Sequence, residues 1–100
     1  MKTTIETSEG KALVILEGVM DSYNTPEVLV NLEPIFKLQD TEITFDCTKL
    51  EFIASNGLRL FLLLRRAVMP HGCNILVKGV SNKLMTIFKA AGFDTLFDFI

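Results

Sequence analysis

A mixed α/β fold, one sheet of four to five strands with helices packed on it, is what the order of patterns in this chain predicts. Three observations carry that expectation. Apolar runs of strand length stand at Ala12–Leu16, Ile43–Phe45 and Ile75–Val77. Longer stretches with apolar residues at helical spacing lie between and after them. No internal repeat, linker or low-complexity segment interrupts the alternation. The resulting order is ββαβαβα, and the helices supply the crossovers that parallel neighbours need.

The first two strands form a hairpin. Thr3 to Thr7 alternates weakly, Ser8-Glu9-Gly10-Lys11 is rich in turn formers, and Gly18 to Asp21 closes the second strand. Ser22-Tyr23-Asn24-Thr25-Pro26 then reads as a helix start, with Thr25 as cap and Pro26 at the first helical position. Val28, Leu29, Leu32 and Phe36 would face the core of a helix over roughly 25–38, which Pro34 should kink or tighten. Thr41 to Cys47 is the third strand, with Ile43 and Phe45 on one face and Thr44 and Asp46 on the other. A helix from 56 to about 69 follows, apolar nearly all round and therefore expected to be the most buried. Pro70-His71-Gly72 is a turn, and Asn74 to Val77 the fourth strand. Ser81 caps a last helix with core face Leu84, Ile87, Phe88 and Ala91, and Gly92 stands where a left-handed cap is expected. Phe93 to Ile100 is an apolar tail, read as a short final element on the core.

Composition narrows the function. One hundred residues make one domain, 1–100, of a size that buries ~65% of its unfolded surface. With 49% hydrophobic and 22% charged residues it can build a core. A net charge of −2 argues against nucleic-acid binding. Met1 to Glu6 has no apolar signal-peptide region, and the apolar run Leu58 to Met69 is too short to span a bilayer. The expectation is a soluble, cytoplasmic protein with no membrane partner. Cys47 and Cys73 lie in no CxxC, and only His71 could join them as a soft ligand. They read as reduced structural thiols, and no metal or cofactor is expected.

The stretch Asp46 to Arg59 is where the chemistry concentrates. Ser55 stands between a strand and a long helix, and a serine there is a good N-cap. Its hydroxyl would sit at the positive end of the helix dipole, beside N–H groups without intrahelical partners, a place that tolerates a phosphate. Asn56-Gly57 is also a hairpin signal, but the twelve residues from Leu58 to Met69 do not alternate as a strand would. Gly57 in a first helical turn costs up to about 1 kcal/mol against Ala. A side-chain-free surface beside Ser55, open to a partner, would explain it. Arg59 sits against the dipole and so reaches a carboxylate, a partner, or a phosphate on Ser55.

These residues carry a resemblance. Asp46-Cys47-Thr48, Phe52-Ile53 and Ser55-Asn56-Gly57-Leu58-Arg59 resemble the signature of the STAS domain, as in bacterial anti-sigma factor antagonists. Gly18-Val19-Met20-Asp21 ahead of Pro26, and Val80-Ser81-Asn82-Lys83-Leu84 through Phe88 to Phe93, are similar to two further family segments in the right order. The family's phosphorylated serine maps onto Ser55. Ala54 departs from the pattern, which has Asp before that serine. The resemblance implies a surface built of Asp21, Ser22, Tyr23, Asn24, Ala54, Asn56, Gly57 and Arg59. It implies a partner too, an anti-sigma factor that is also a serine kinase of the histidine-kinase-like ATPase type. Binding would end when Ser55 is phosphorylated. On residue type alone, Ser55 is equally a structural cap and Asp21 a solvated turn carboxylate.

The order strand–Ser–helix is shared with the nucleophile elbow of α/β-hydrolases. Ile53 stands where that elbow has glycine. The only histidine, His71, lies beyond the same helix, roughly 20 Å from Ser55, whereas a general base must come within ~3 Å. No phosphate loop, dinucleotide turn or paired-carboxylate site is present. The chain reads as a binding module, not an enzyme. Two other classes stay open: a constitutive scaffold within a signalling or lipid-transport assembly, and a small-ligand or nucleotide sensor.

Overall fold

The computed structural model describes residues 1–100. Five strands lie side by side in the order of the chain: β1 (Lys2–Ser8), β2 (Lys11–Met20), β3 (Glu42–Ile53), β4 (Asn74–Lys78) and β5 (Asp98–Phe99). The hairpin β1–β2 is antiparallel and unbroken in register, from Lys2 opposite Glu17 to Ser8 opposite Lys11. Every later pairing is parallel, so each needs a crossover. Those crossovers are α1 (Thr25–Asn31) with α2 (Glu33–Phe36), then α3 (Ser55–Val68), then α4 (Asn82–Ala90).

Alternate residues of the central strands go under the helices: Val14 and Leu16, Ile43 and Phe45, Ile75 and Val77 are all buried. Leu13, Ile15, Thr44, Asp46 and Leu76, on the opposite face, stay partly open. Phe61 of α3 anchors the core, 4.8 Å from Phe45 and about edge-on to Phe88 and Phe97 at 5.9 and 6.0 Å. No helix is long and apolar enough to cross a membrane. No three His, Cys, Asp or Glu side chains converge as a metal-ligand set would.

Several expectations need correction. The helix over 25–38 is two helices, broken at Leu32, because Pro34 lacks the N–H that would continue the first. Leu29 faces solvent, and Ile35 supplies the core contact instead. Thr25 is the first helical residue, not the cap, which is Asn24. The helix α3 is two-faced: Gly57, Leu60, Phe61, Leu64 and Val68 are buried, while Leu63, Arg59 and Arg66 are exposed. Ala91 is exposed just past α4, and Gly92 takes the left-handed conformation, φ +77°, that ends the helix.

The largest difference is β3. It runs on past Cys47 to Ile53, carrying two extra residues relative to β2. Asp46 pairs Ile15 but Lys49 pairs Glu17, and Leu50 pairs Gly18 but Phe52 pairs Val19. Each bulge turns the strand, so the buried positions fall at Cys47, Leu50 and Ile53, three apart rather than two. A period of three is not a strand pattern, which is why the segment reads as a connection.

Candidate functional site

The carboxyl ends of β2 and β3 lie together and feed two structures: the loop Asp21–Asn24 and the first turn of α3. The Ala54 N–H donates to the Met20 carbonyl at 2.8 Å, fixing where α3 begins relative to β2. Asp21 organises the loop. Its Oδ1 accepts the N–H groups of Tyr23 and Asn24, both at 2.9 Å, while the Asn24 side chain accepts from Asp21 N–H at 3.0 Å. Asn24 Nδ2 also donates to the Val19 carbonyl at 2.7 Å. Asp21 is therefore a structural carboxylate as well as a surface one, not simply a solvated one.

Asn56 joins the two structures. Its Nδ2 donates to the Ser22 carbonyl at 3.4 Å, and its Oδ1 lies 3.4 Å from Thr25 Oγ1. Asp21, Ser22, Asn24, Ala54 and Asn56 are thus brought into one surface around Ser55. Tyr23, at the loop tip, is 95% exposed.

Ser55 differs from the sequence expectation in one respect that matters. It is the first helical residue, and Ala54, with extended φ −84° and ψ 171°, is the N-cap. Ala54 has no side-chain acceptor, so the opening N–H groups of α3 receive no cap bond. In α4 the equivalent position is Ser81, whose Oγ accepts the Leu84 N–H at 3.2 Å. The Ser55 side chain is exposed and does no capping. Nothing in the fold consumes its hydroxyl.

Gly57 also has a different reason from the one expected. It is buried, and a Cβ built on it would sit 2.7 Å from Met20 Sδ and 2.8 Å from Ile53 Cγ1. The glycine lets α3 press onto the ends of β2 and β3, and it offers no open surface to a partner. Arg59 is exposed one turn after Ser55 and forms none of the ion pairs, which join Lys2 and Lys49 to Glu17 and Lys37 to Glu33.

Two residues at the site escaped the sequence reading. The second β3 bulge brings Phe52 beside Val19 as a register pair, and both are about two-fifths exposed, at 39% and 40%. The pair adjoins the loop, since the Val19 carbonyl accepts from Asn24 Nδ2. The signal was a Phe in a segment whose buried residues come every third position. Deeper in β3, Asp46 Oδ1 accepts from both Thr48 N–H, at 3.0 Å, and Thr48 Oγ1, at 2.6 Å. Those bonds favour the ionised form, so its carboxyl titrates below the usual value. The Asp-x-Thr unit shapes the first bulge. Cys47 is buried, and desolvation, with Asp46 beside it, pushes its thiol up to about 12. Cys73 is buried too and donates to the Leu38 carbonyl at 3.4 Å. His71 lies at the far end of α3, away from Ser55.

Comparison with known proteins agrees with this architecture. A family described as "Mlab, STAS domain" matches residues 3–98. A Bordetella bronchiseptica protein named "Putative anti-sigma factor antagonist BtrV" is 24% identical over 97 residues, 97% of this chain and 84% of its own. Among solved structures, a Thermotoga maritima protein described as "a putative anti-sigma factor antagonist" superposes with a TM-score of 0.85 at 10% identity, covering 97% of this chain and 84% of its own. One from Mycobacterium paratuberculosis gives 0.79 at 18% identity, covering 98% and 83%. The Bacillus cell fate determinant SpoIIAA in its phosphorylated form gives 0.74 at 18%, covering 99% and 91%. These structural likenesses concern the fold. The match over nearly the whole sequence decides the family: the chain belongs to the STAS domain family.

Proposed function

We propose that this chain is an anti-sigma factor antagonist switched off by phosphorylation of Ser55. Unmodified, it binds an anti-sigma factor that is also a serine kinase of the histidine-kinase-like ATPase type, and so frees the sigma factor. The observation that carries this reading is the Ser55 hydroxyl, exposed and uncommitted at the start of α3. A residue needed for capping could not be modified without cost to the fold. This one can be.

Phosphorylation adds about −1.5 to −2 charges at pH 7. Within the chain, the uncapped N–H groups of α3 and the positive end of its dipole offset that charge. At a close-packed apolar interface the same charge must be desolvated, and binding fails without a large change of shape. The names of BtrV and of SpoIIAA in its phosphorylated form support the assignment.

One observation favours a second reading. Ala54 breaks the Asp-Ser pair of the family motif, as expected of a constitutive subunit in a larger signalling or lipid-transport assembly. Incubation with the cognate kinase and ATP, followed by intact mass, separates the two. The switch predicts one phosphate on the wild type and none on Ser55→Ala. A wild type that binds tightly and stays unmodified leaves the constitutive reading.

A further inference from the structure

We infer that the free edge of β1 pairs with β1 of a second copy, joining two sheets antiparallel into one of ten strands. The two sheet edges are unlike each other. At one end β5 has only two residues, a short edge of the kind that discourages pairing. At the other, β1 presents seven residues with no proline and no bulge, and its register with β2 is continuous. β2 is its only strand neighbour. Half of its backbone N–H and C=O groups therefore point away from the sheet toward solvent.

The side chains select the occupant, because the segment is complementary to itself when reversed. Lys2-Thr3-Thr4-Ile5-Glu6 read backwards is Glu-Ile-Thr-Thr-Lys. With a two-fold axis through Thr4, Lys2 of each copy lies opposite Glu6 of the other, Thr3 opposite Ile5, and Thr4 opposite Thr4. Lys2, Thr4 and Glu6 share one face of the strand, that of Glu17, Ile15 and Leu13, so both charge pairs form on the open side of the sheet. Thr3 and Ile5 lie on the other face with Leu16 and Val14, so each Ile5 extends the helix-covered layer. A one-residue slip sets Glu6 against Thr3 or Met1 and gives up both ion pairs. Lys2 is free enough to change partner, since its contact with Glu17 is 3.9 Å long on a side chain that is 76% exposed. Opposite-charge pairs across strands stabilise, and like charges directly opposite destabilise.

Sedimentation equilibrium over a concentration series tests the pairing. The wild type is expected to dimerise with a dissociation constant in the micromolar to millimolar range, as suits a small interface. Lys2→Glu and Glu6→Lys should each weaken the dimer about tenfold or more, since two attractive pairs become two repulsive ones. Lys2→Glu/Glu6→Lys should restore it. An equimolar mixture of the two single variants should form a mixed dimer that neither forms alone. Melting temperatures of all variants show whether each is folded. A wild type that stays monomeric up to about 1 mM, or a dimer indifferent to both reversals, overturns the inference.

Discussion

Replacing Ala54 by Asp should stabilise this protein, which is unusual for a surface substitution. Ala54 already holds the extended backbone of an N-cap, φ −84° and ψ 171°, but lacks a side chain that can accept a hydrogen bond. A carboxylate there can accept the N–H of Asn56 or Gly57, the second and third helical residues. The change from Ala to a good cap is worth ~1 kcal/mol, with a further ~0.3–1 kcal/mol from the dipole. Because Ala54 is half-buried, part of this is spent on desolvating the carboxylate, so the expected net gain is about 1 kcal/mol. For a chain of this length that corresponds to roughly 4–8 °C in melting temperature. Thermal and urea denaturation at neutral pH measure it, with Ser55→Ala as the companion variant. Since Ser55 caps nothing, Ser55→Ala should stay within about 0.5 kcal/mol of the wild type. No gain from Ala54→Asp together with a loss near 1 kcal/mol from Ser55→Ala would mean that Ser55 is the cap after all.

Other perturbations reach other parts of the account. Gly57→Ala drives a methyl group into Met20 and Ile53 and should cost about 1–3 kcal/mol, read from the urea midpoint. Tyr23→Ala should leave stability within about 0.5 kcal/mol but weaken partner binding by an order of magnitude, measured by calorimetry. Asp21→Ala should cost about 1–2 kcal/mol, because two loop N–H groups lose their acceptor, so this residue is a poor probe of the surface alone. The buried Cys47 thiol has a folded pKa raised from 9.0 to about 12, so the stability gained by keeping it neutral is complete below pH 9 and is lost as pH rises toward 12. Urea midpoints between those limits should fall more steeply for the wild type than for Cys47→Ala.

Much of this fold was written in local pattern. The continuous apolar runs of β2 and β4, the alternation of early β3 and the helical spacing of α4 each mark their element. What escaped is where tertiary packing overrules local chemistry. Ser55 has the composition of a cap, but the Ala54 N–H bonds to the Met20 carbonyl and starts the helix one residue earlier. Gly57 suggests openness until β2 and β3 supply the Met20 and Ile53 side chains that fill the space. The second half of β3 was hidden because two bulges replace its alternation by a period of three. The loop at Asp21 was legible as part of the site, but its bonds to Tyr23 and Asn24 were not. Those depend on backbone turns that residue types only permit.

The central claim is that charge at position 55 controls binding while the fold stands. The direct measurement is the affinity of three forms for the cognate anti-sigma factor: unmodified, carrying phosphoserine installed at Ser55 during translation, and Ser55→Ala. Burying an unpaired charge at an interface costs about 3–5 kcal/mol, so the phosphorylated form should bind at least ~100-fold more weakly. Its melting temperature should change by no more than a few degrees, and Ser55→Ala should bind as tightly as the wild type. Equal affinity of the phosphorylated and unmodified forms would contradict the account.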